Sequence, residues 1–267
     1  MELEKRVFAD GTLTFDEPSH KYQFIKNDGE IIEVRSVTNH FGILGSFNIG
    51  AMASRKAFRT TFMEEIELNK QYLWQYKKDA ESFIKDISKK SADVWTKSAE
   101  RGTIVHATLE NYAKGIQPTY DTDESIAKMQ KAGIDWFDAN VEKVLSSEVL
   151  VYNKEHNYSG KYDLECILND GRGRVLLDWK TGSIANFKRL PDMSSKFPLQ
   201  LLAYMECLLE DKGGNPFPRM IVMIDRDNAD IMTRTYDTKN YTRDKSIFLQ
   251  IINLNNYFHD YADEWKQ

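Results

Sequence analysis

The chain has 267 residues, 41% of them hydrophobic and 29% charged, with 36 Lys and Arg against 41 Asp and Glu and a formal net charge of −5. That balance excludes a membrane-embedded or disordered chain and leaves ample residues for a core. Mild acidity excludes a uniformly basic nucleic-acid coat, but not a nucleic-acid enzyme whose cations are clustered.

No apolar run nears the roughly 18 residues that span a bilayer, and MELEKRVFADG has no apolar signal core. Cys166 and Cys207 are too few for a disulfide framework or a four-Cys zinc or iron–sulfur site, so two reduced, buried thiols are expected. No membrane attachment and no small-molecule cofactor are expected.

In chain order, residues 12–34 read as two or three short strands, with Asn27-Asp28-Gly29 as a hairpin turn. Ser36 is placed to cap a short helix that Gly45 ends. From about 49 to 114 the composition is helical, with no Pro and no Gly between Gly50 and Gly102. A further helix is expected over 123–140. Strands follow at 148–153, 160–168 and 173–181, the last two joined by the hairpin signal Asn169-Asp170-Gly171. An apolar helix over 199–209, strands at 219–224 and 229–236, and a closing helix over about 243–264 complete the chain. The expected fold class is α/β, a mixed central sheet flanked by helices with a helical N-terminal insertion. The expected division is 1–45 (hairpin and short helix), 46–98 (helical arch) and 99–267 (core).

Chemistry concentrates on the strand GRVLLDWKT. Alternation puts Asp178 and Lys180 on one face and Val175, Leu177 and Trp179 on the other. A surface salt bridge and a buried functional pair fit that strand equally well. The preceding arm, GKYDLECIL, tips the balance, because Asp163 can pair across the turn toward Asp178. Two adjacent carboxylates suit Mg2+ or Mn2+, and a nearby lysine completes a set for phosphodiester hydrolysis. Upstream, His106 and Glu110 share a helix face; downstream, Gln200 and Tyr204 do the same. Taken singly, these four fit ordinary packing at least as well as function.

Taken in order they are distinctive. GTIVHATLE, GKYD, DWK and QLLAY resemble the RecB-like branch of the PD-(D/E)xK nucleases over roughly 101–209. FDEPSHKYQF with VRSVTNHFGIL also resembles the opening of stand-alone phage exonucleases and the mitochondrial genome maintenance exonuclease. The resemblance implies that Asp163, Asp178 and the Trp179 carbonyl bind metal, with His106 as a further ligand and Lys180 as the catalytic lysine. It gives Gln200 and Tyr204 the role of supporting the site and contacting the DNA backbone. Glu110 either orients His106 or merely packs, and Glu148 either approaches the metal or is a solvated strand end. The chain departs from the iron–sulfur relatives, which need four cysteines. It also carries Leu177 where Pro precedes the aspartate in the eponymous motif, and no phosphate-loop motif for a helicase motor.

The resemblance further implies a helical arch that threads single-stranded DNA; Trp74, Lys77 and Lys78 either contact that strand or serve as helix core and solvated face, and Arg101, on the histidine helix, is a further candidate DNA contact. Around the active strand, Arg172, Arg174, Lys188 and Arg189 belong to a patch of six cations against two carboxylates over 171–196. The expected activity is a metal-dependent DNA exonuclease on single strands or DNA ends, serving recombination, repair or replication. A flap or nicking endonuclease and a non-catalytic binding module are the alternatives. DNA, and with it a recombinase or single-strand-binding protein, are the expected partners, in the cytoplasm of a bacterium or phage-infected host cell.

Overall fold

Alternating apolar residues near the N-terminus build an antiparallel meander. Strands β1 (Glu4–Phe8), β2 (Gly11–Asp16), β3 (Lys21–Lys26) and β4 (Ile31–Ser36) pair in order, Leu13 lying opposite Phe24 and Phe24 opposite Ile32. The computed structural model describes residues 3–42, 80–189 and 196–264. The inner face gathers Leu13, Phe15, Tyr22, Phe24 and Val34 with Leu150 and Tyr152 into one apolar cluster. At the expected hairpin Gly29 has φ 90°, and the Glu30 N–H donates to Asp28 at 3.0 Å. Strand β1 goes beyond the expected set, because it is an edge strand with little apolar alternation and Val7 is 78% exposed. Its Arg6 donates to the Leu150 carbonyl at 2.7 Å, tying the edge to the rest of the sheet.

Helix α1 (Val37–His40) starts at Ser36, whose hydroxyl accepts from the Asn39 N–H at 3.1 Å, as the sequence leads one to expect. Contacts divide the chain into Met1–Ile43 with His106–Gln267, and Leu44–Val105. Helix α2 (Ala80–Ala113) carries the histidine motif. Helix α3 (Glu124–Asn140) opens on Asp123, which accepts from the Ser125 N–H at 2.8 Å.

Strands β5 (Val141–Asn153), β6 (Tyr158–Leu168) and β7 (Gly173–Gly182) follow. Pairing carries β5 back to Val141, seven residues before the expected start, through two register shifts against β6. Helix α4 (Ile184–Arg189) was not expected; its first N–H, of Ile184, donates to Asp225 at 2.8 Å, a cap 41 residues away in sequence. Helix α5 (Phe197–Lys212), strands β8 (Arg219–Asp225) and β9 (Ile231–Tyr236), and helix α6 (Tyr241–Glu264) complete the fold.

Among the described residues one mixed sheet of nine strands runs β1-β2-β3-β4-β6-β7-β8-β9, with β5 also on β6. Every residue of β8 is buried, so both its faces are covered; α5 packs on β5 to β8, and α3 on β5, β8 and β9. One feature of the topology positions the site. β6 pairs with β4 only at Tyr158 and Ser159, and with β7 only from Leu164 onward. β7 then leaves β6 after Leu177 and continues along β8, which opens a fork at residues 160–163.

Candidate active site

Asp163 stands at this fork, one rung beyond the last β6–β7 pair, Leu164 with Leu177, and so faces Asp178. Where the backbone ladder would continue, the Trp179 N–H donates to Asp163 Oδ2 at 2.7 Å. The pleat turns Trp179 away from its neighbours, and its ring meets Trp136 of α3 edge-on at 5.4 Å. Asp178 and Lys180 share the other side. Lys180 Nζ forms an ion pair with Asp178 Oδ2 and lies 5.3 Å from the centre of the Phe197 ring. Asp178 Oδ2 is buried, and among the described residues the Lys180 ammonium is the group in contact with it.

The electrostatics follow from burying like charges together. Burial, reinforced by Asp163, pushes Asp178 up to about 6 against the pull of Lys180. Burial also raises Asp163, although Lys180 and the Trp179 N–H oppose it. For Lys180 burial disfavours the charge, but Asp178 and Asp163 more than reverse this and keep it an ammonium. His106 Nδ1 lies 3.4 Å from Asp163 Oδ2. Burial and the Lys180 charge bring the imidazole down to about 4, so it is neutral near pH 7 and its contact with Asp163 is polar rather than ionic.

A third carboxylate joins the row. Ser147 opposite Leu164 and Val149 opposite Tyr162 set Glu148 beside Asp163, so Glu148, Asp163 and Asp178 lie across three adjacent strands. Glu148 has φ 51°, a left-handed conformation that costs a non-glycine residue about 1–3 kcal/mol. Burial and Asp163 push its carboxyl up to about 7. Lys161, on the same side of β6 as Asp163, pairs with Glu148 at 3.0 Å and with Glu4 at 3.2 Å. Sequence reasoning missed Lys161, although the alternation that joins Asp178 to Lys180 also joins Lys161 to Asp163.

The other motif residues are distributed unevenly. Gln200 Nε2 donates to Tyr204 Oη at 2.9 Å, and burial holds the Tyr204 phenol well above its ordinary range. The Tyr204 ring lies on Gly160, where a Cβ would stand 2.4 Å from its Cε1. The glycine of GKYD is therefore a socket for the tyrosine of QLLAY. Glu110 pairs with Lys114 one turn on, yet its charge still acts on Asp163 and Glu148. Arg101 is exposed on α2, and Lys188 is exposed on α4. Arg172 is engaged by Asp170 and by Thr235 at 2.6 Å, and Arg174 by Glu165 at 2.7 Å and the Phe217 ring at 3.9 Å. Trp74, Lys77, Lys78 and the Arg189 side chain lie outside the described residues.

Among the described residues no three His, Cys, Asp or Glu side chains converge closely enough to hold a metal ion by themselves. The oxygen donors at the fork nevertheless fit a hard divalent cation: two facing carboxylates, Asp178 buried and Asp163 partly so, beside a strand backbone that can add a carbonyl. None of the described helices is long and apolar enough to cross a membrane.

Paired carboxylates and a lysine at the fork of a mixed sheet, with a histidine helix beside them, define a nuclease of the D-x-K type. The chain belongs to the PD-(D/E)XK nuclease superfamily, whose sequence pattern matches residues 71–254. Nucleases of this superfamily generally use divalent metal ions. No curated protein matches the chain. Similar solved structures include a protein from Eubacterium rectale provisionally named an exonuclease, 12% identical with a TM-score of 0.40, covering 58% of this chain and 68% of that one. Another is SSO0001, 15% identical with a TM-score of 0.28, covering 76% of this chain and 86% of that one.

Proposed function

We propose that this nuclease is a metal-dependent DNA exonuclease acting on single strands or DNA ends, in recombination, repair or replication. The observation that carries the chemistry is the fork, where Asp163 and the buried Asp178 face each other beside Lys180. Asp163, Asp178 and the Trp179 carbonyl would hold Mg2+ or Mn2+, with His106 alongside. A divalent ion there supplies the positive charge that polarises a phosphodiester and acidifies a bound water. Lys180 sets a second positive charge where the attacked phosphate gathers negative charge, and its tether to Asp178 fixes that position. Asp163 is held in place by the Trp179 N–H. Glu148, left-handed and paired with Lys161, lies near enough to orient a water toward the phosphate. The N-terminal FDEPSHKYQF and VRSVTNHFGIL, which resemble the opening of stand-alone exonucleases, support the preference for ends. Cys166 and Cys207 are buried thiols, in keeping with a reducing cytoplasm.

The test is a time course on end-labelled linear and circular DNA, single- and double-stranded, with Mg2+, Mn2+ or chelator. Linear DNA shortens from an end and circular single strands stay intact; cutting of the circle identifies an endonuclease instead. Asp178→Ala and Lys180→Ala lose cleavage while still binding DNA, and activity that persists in both, or in excess chelator, defeats the reading. Glu148→Gln lowers kcat by about 10- to 100-fold in a protein that still melts cooperatively. Full activity of that variant removes Glu148 from the catalytic row.

A further inference from the structure

The chain contains five histidines, and four of them, His20, His40, His156 and His259, line one solvent-open cavity of about 470 Å³ on the other side of Tyr22 from the catalytic row. Lys21 and Arg35 line it too, against Glu33 as the single carboxylate of the lining. In a chain of net charge −5 this is a local concentration of hydrogen-bond donors and positive charge. His40 is 1% exposed, and the Asn255 side chain can serve at most one of its two ring nitrogens, which leaves the other without a partner. Buried polar groups ordinarily find partners, so this ring points to a ligand. Arg35 is held in place by the amide oxygens of Asn256 at 2.9 Å and Asn255 at 3.3 Å.

The donor set selects the ligand class. No three metal-ligating side chains converge among the described residues, which argues against a histidine-held metal. Polar atoms dominate the lining, which argues against an apolar ligand. Imidazole N–H, ammonium and guanidinium groups converge instead on something rich in acceptor oxygens and negatively charged.

We propose that this cavity is a phosphate-binding anchor for the DNA that the catalytic row cleaves, a proposal that rests on the nuclease reading for its ligand. Two features tie it to that row. Tyr22, on its lining, lies within the fields of Lys161 and Glu148. Asn157, also on the lining, is the turn residue just before β6 and six residues before Asp163, so the two sites are at most about 20 Å apart at about 3.3 Å per residue. About six stacked nucleotides, at about 3.4 Å each, cover that distance. A strand held by one phosphate in the cavity therefore presents another to the fork.

The first measurement is side-chain NMR of the five imidazoles in the metal-free full chain, assigned with single His→Gln variants and titrated with inorganic phosphate. The rings of His20, His40, His156 and His259 shift, while His106 does not. Absence of shifts in the cavity rings at tens of millimolar phosphate, or a shift of His106 alone, overturns the proposal. The second is binding of a single-stranded oligonucleotide in chelator by the triple variant H20Q/K21A/H156Q, with a thermal melt to verify the fold. Affinity falls about tenfold and the salt slope drops by about 1–2. A loss confined to 5′-phosphorylated strands identifies a terminal phosphate as the ligand, and an equal loss for 5′-hydroxyl strands identifies backbone phosphates. Unchanged affinity for both strands overturns the proposal. The phosphate titration needs no cleavage, so it stands or falls separately from the activity of Asp178→Ala.

Discussion

Asp178 and Asp163 are costly to the protein in the absence of a cation, because burial raises both of them, reinforced by Asp163 at Asp178 and by Glu110 at Asp163. A carboxylate whose pKa rises on folding contributes its stability below the unfolded value, near 4. That contribution is lost as pH climbs through the folded value. With Asp178 at about 6 and Glu148 at about 7, the metal-free protein should lose stability between about pH 4 and pH 7. Chemical denaturation in chelator across that range measures the slope, and Mg2+ or Mn2+ should flatten it. Asp178→Asn should abolish cleavage yet stabilise the metal-free protein at pH 7.5 by about 1–3 kcal/mol, because it removes one of two like charges. A destabilised Asp178→Asn protein would show that Asp178 serves packing before catalysis. The residue scale is also where function and stability conflict most openly, since Glu148 combines a left-handed backbone with a raised carboxyl.

At the scale of elements, motifs that are separate in sequence become one contact. Gly160 on β6 and Tyr204 on α5 meet so closely that Gly160→Ala should cost about 1–3 kcal/mol and displace the tyrosine from Gln200. A double-mutant cycle with Tyr204→Ala should give a coupling of at least about 1 kcal/mol, whereas additivity would mean that the ring is free to move aside. Helix α4 depends on a distant residue in the same way. Asp225 accepts from the backbone N–H groups of Ile184, Asp227 and Asn228, which hold its carboxyl low although burial acts in the opposite direction. Asp225→Ala should therefore cost about 1–2 kcal/mol, with faster hydrogen exchange at Ile184 as the local signature.

For the whole molecule, the acid surplus is unevenly placed. Three carboxylates, Glu148, Asp163 and Asp178, sit in one row across the sheet, where a divalent ion would offset them, while imidazoles with Lys21 and Arg35 line the cavity. DNA binding should consequently be local and fall steeply with salt, with a log–log slope near −0.7 for each phosphate neutralised on a single strand. A slope near zero would mean that the charged sites described above do not hold the backbone. Arg172 and Arg174, attractive as phosphate contacts on paper, are already engaged by Asp170 and Glu165 in the folded chain.

The sequence by itself determined what depends on short range. Period-two alternation assigned Asp178 and Lys180 to one face, turn residues marked both hairpins, Ser36 and Asp123 marked helix starts, and the ordered motifs pointed to the nuclease family. Only the tertiary structure decided what depends on strands parting and on residues meeting from far along the chain. The hairpin already sets Asp163 opposite Asp178, but the β6–β7 fork parts the strands between them, and two register shifts in β5 bring Glu148 into their row. Asp225 caps a helix 41 residues away, and histidines from both ends of the chain line one cavity. No local pattern encodes these meetings, because they follow from which strands pair and where that pairing stops.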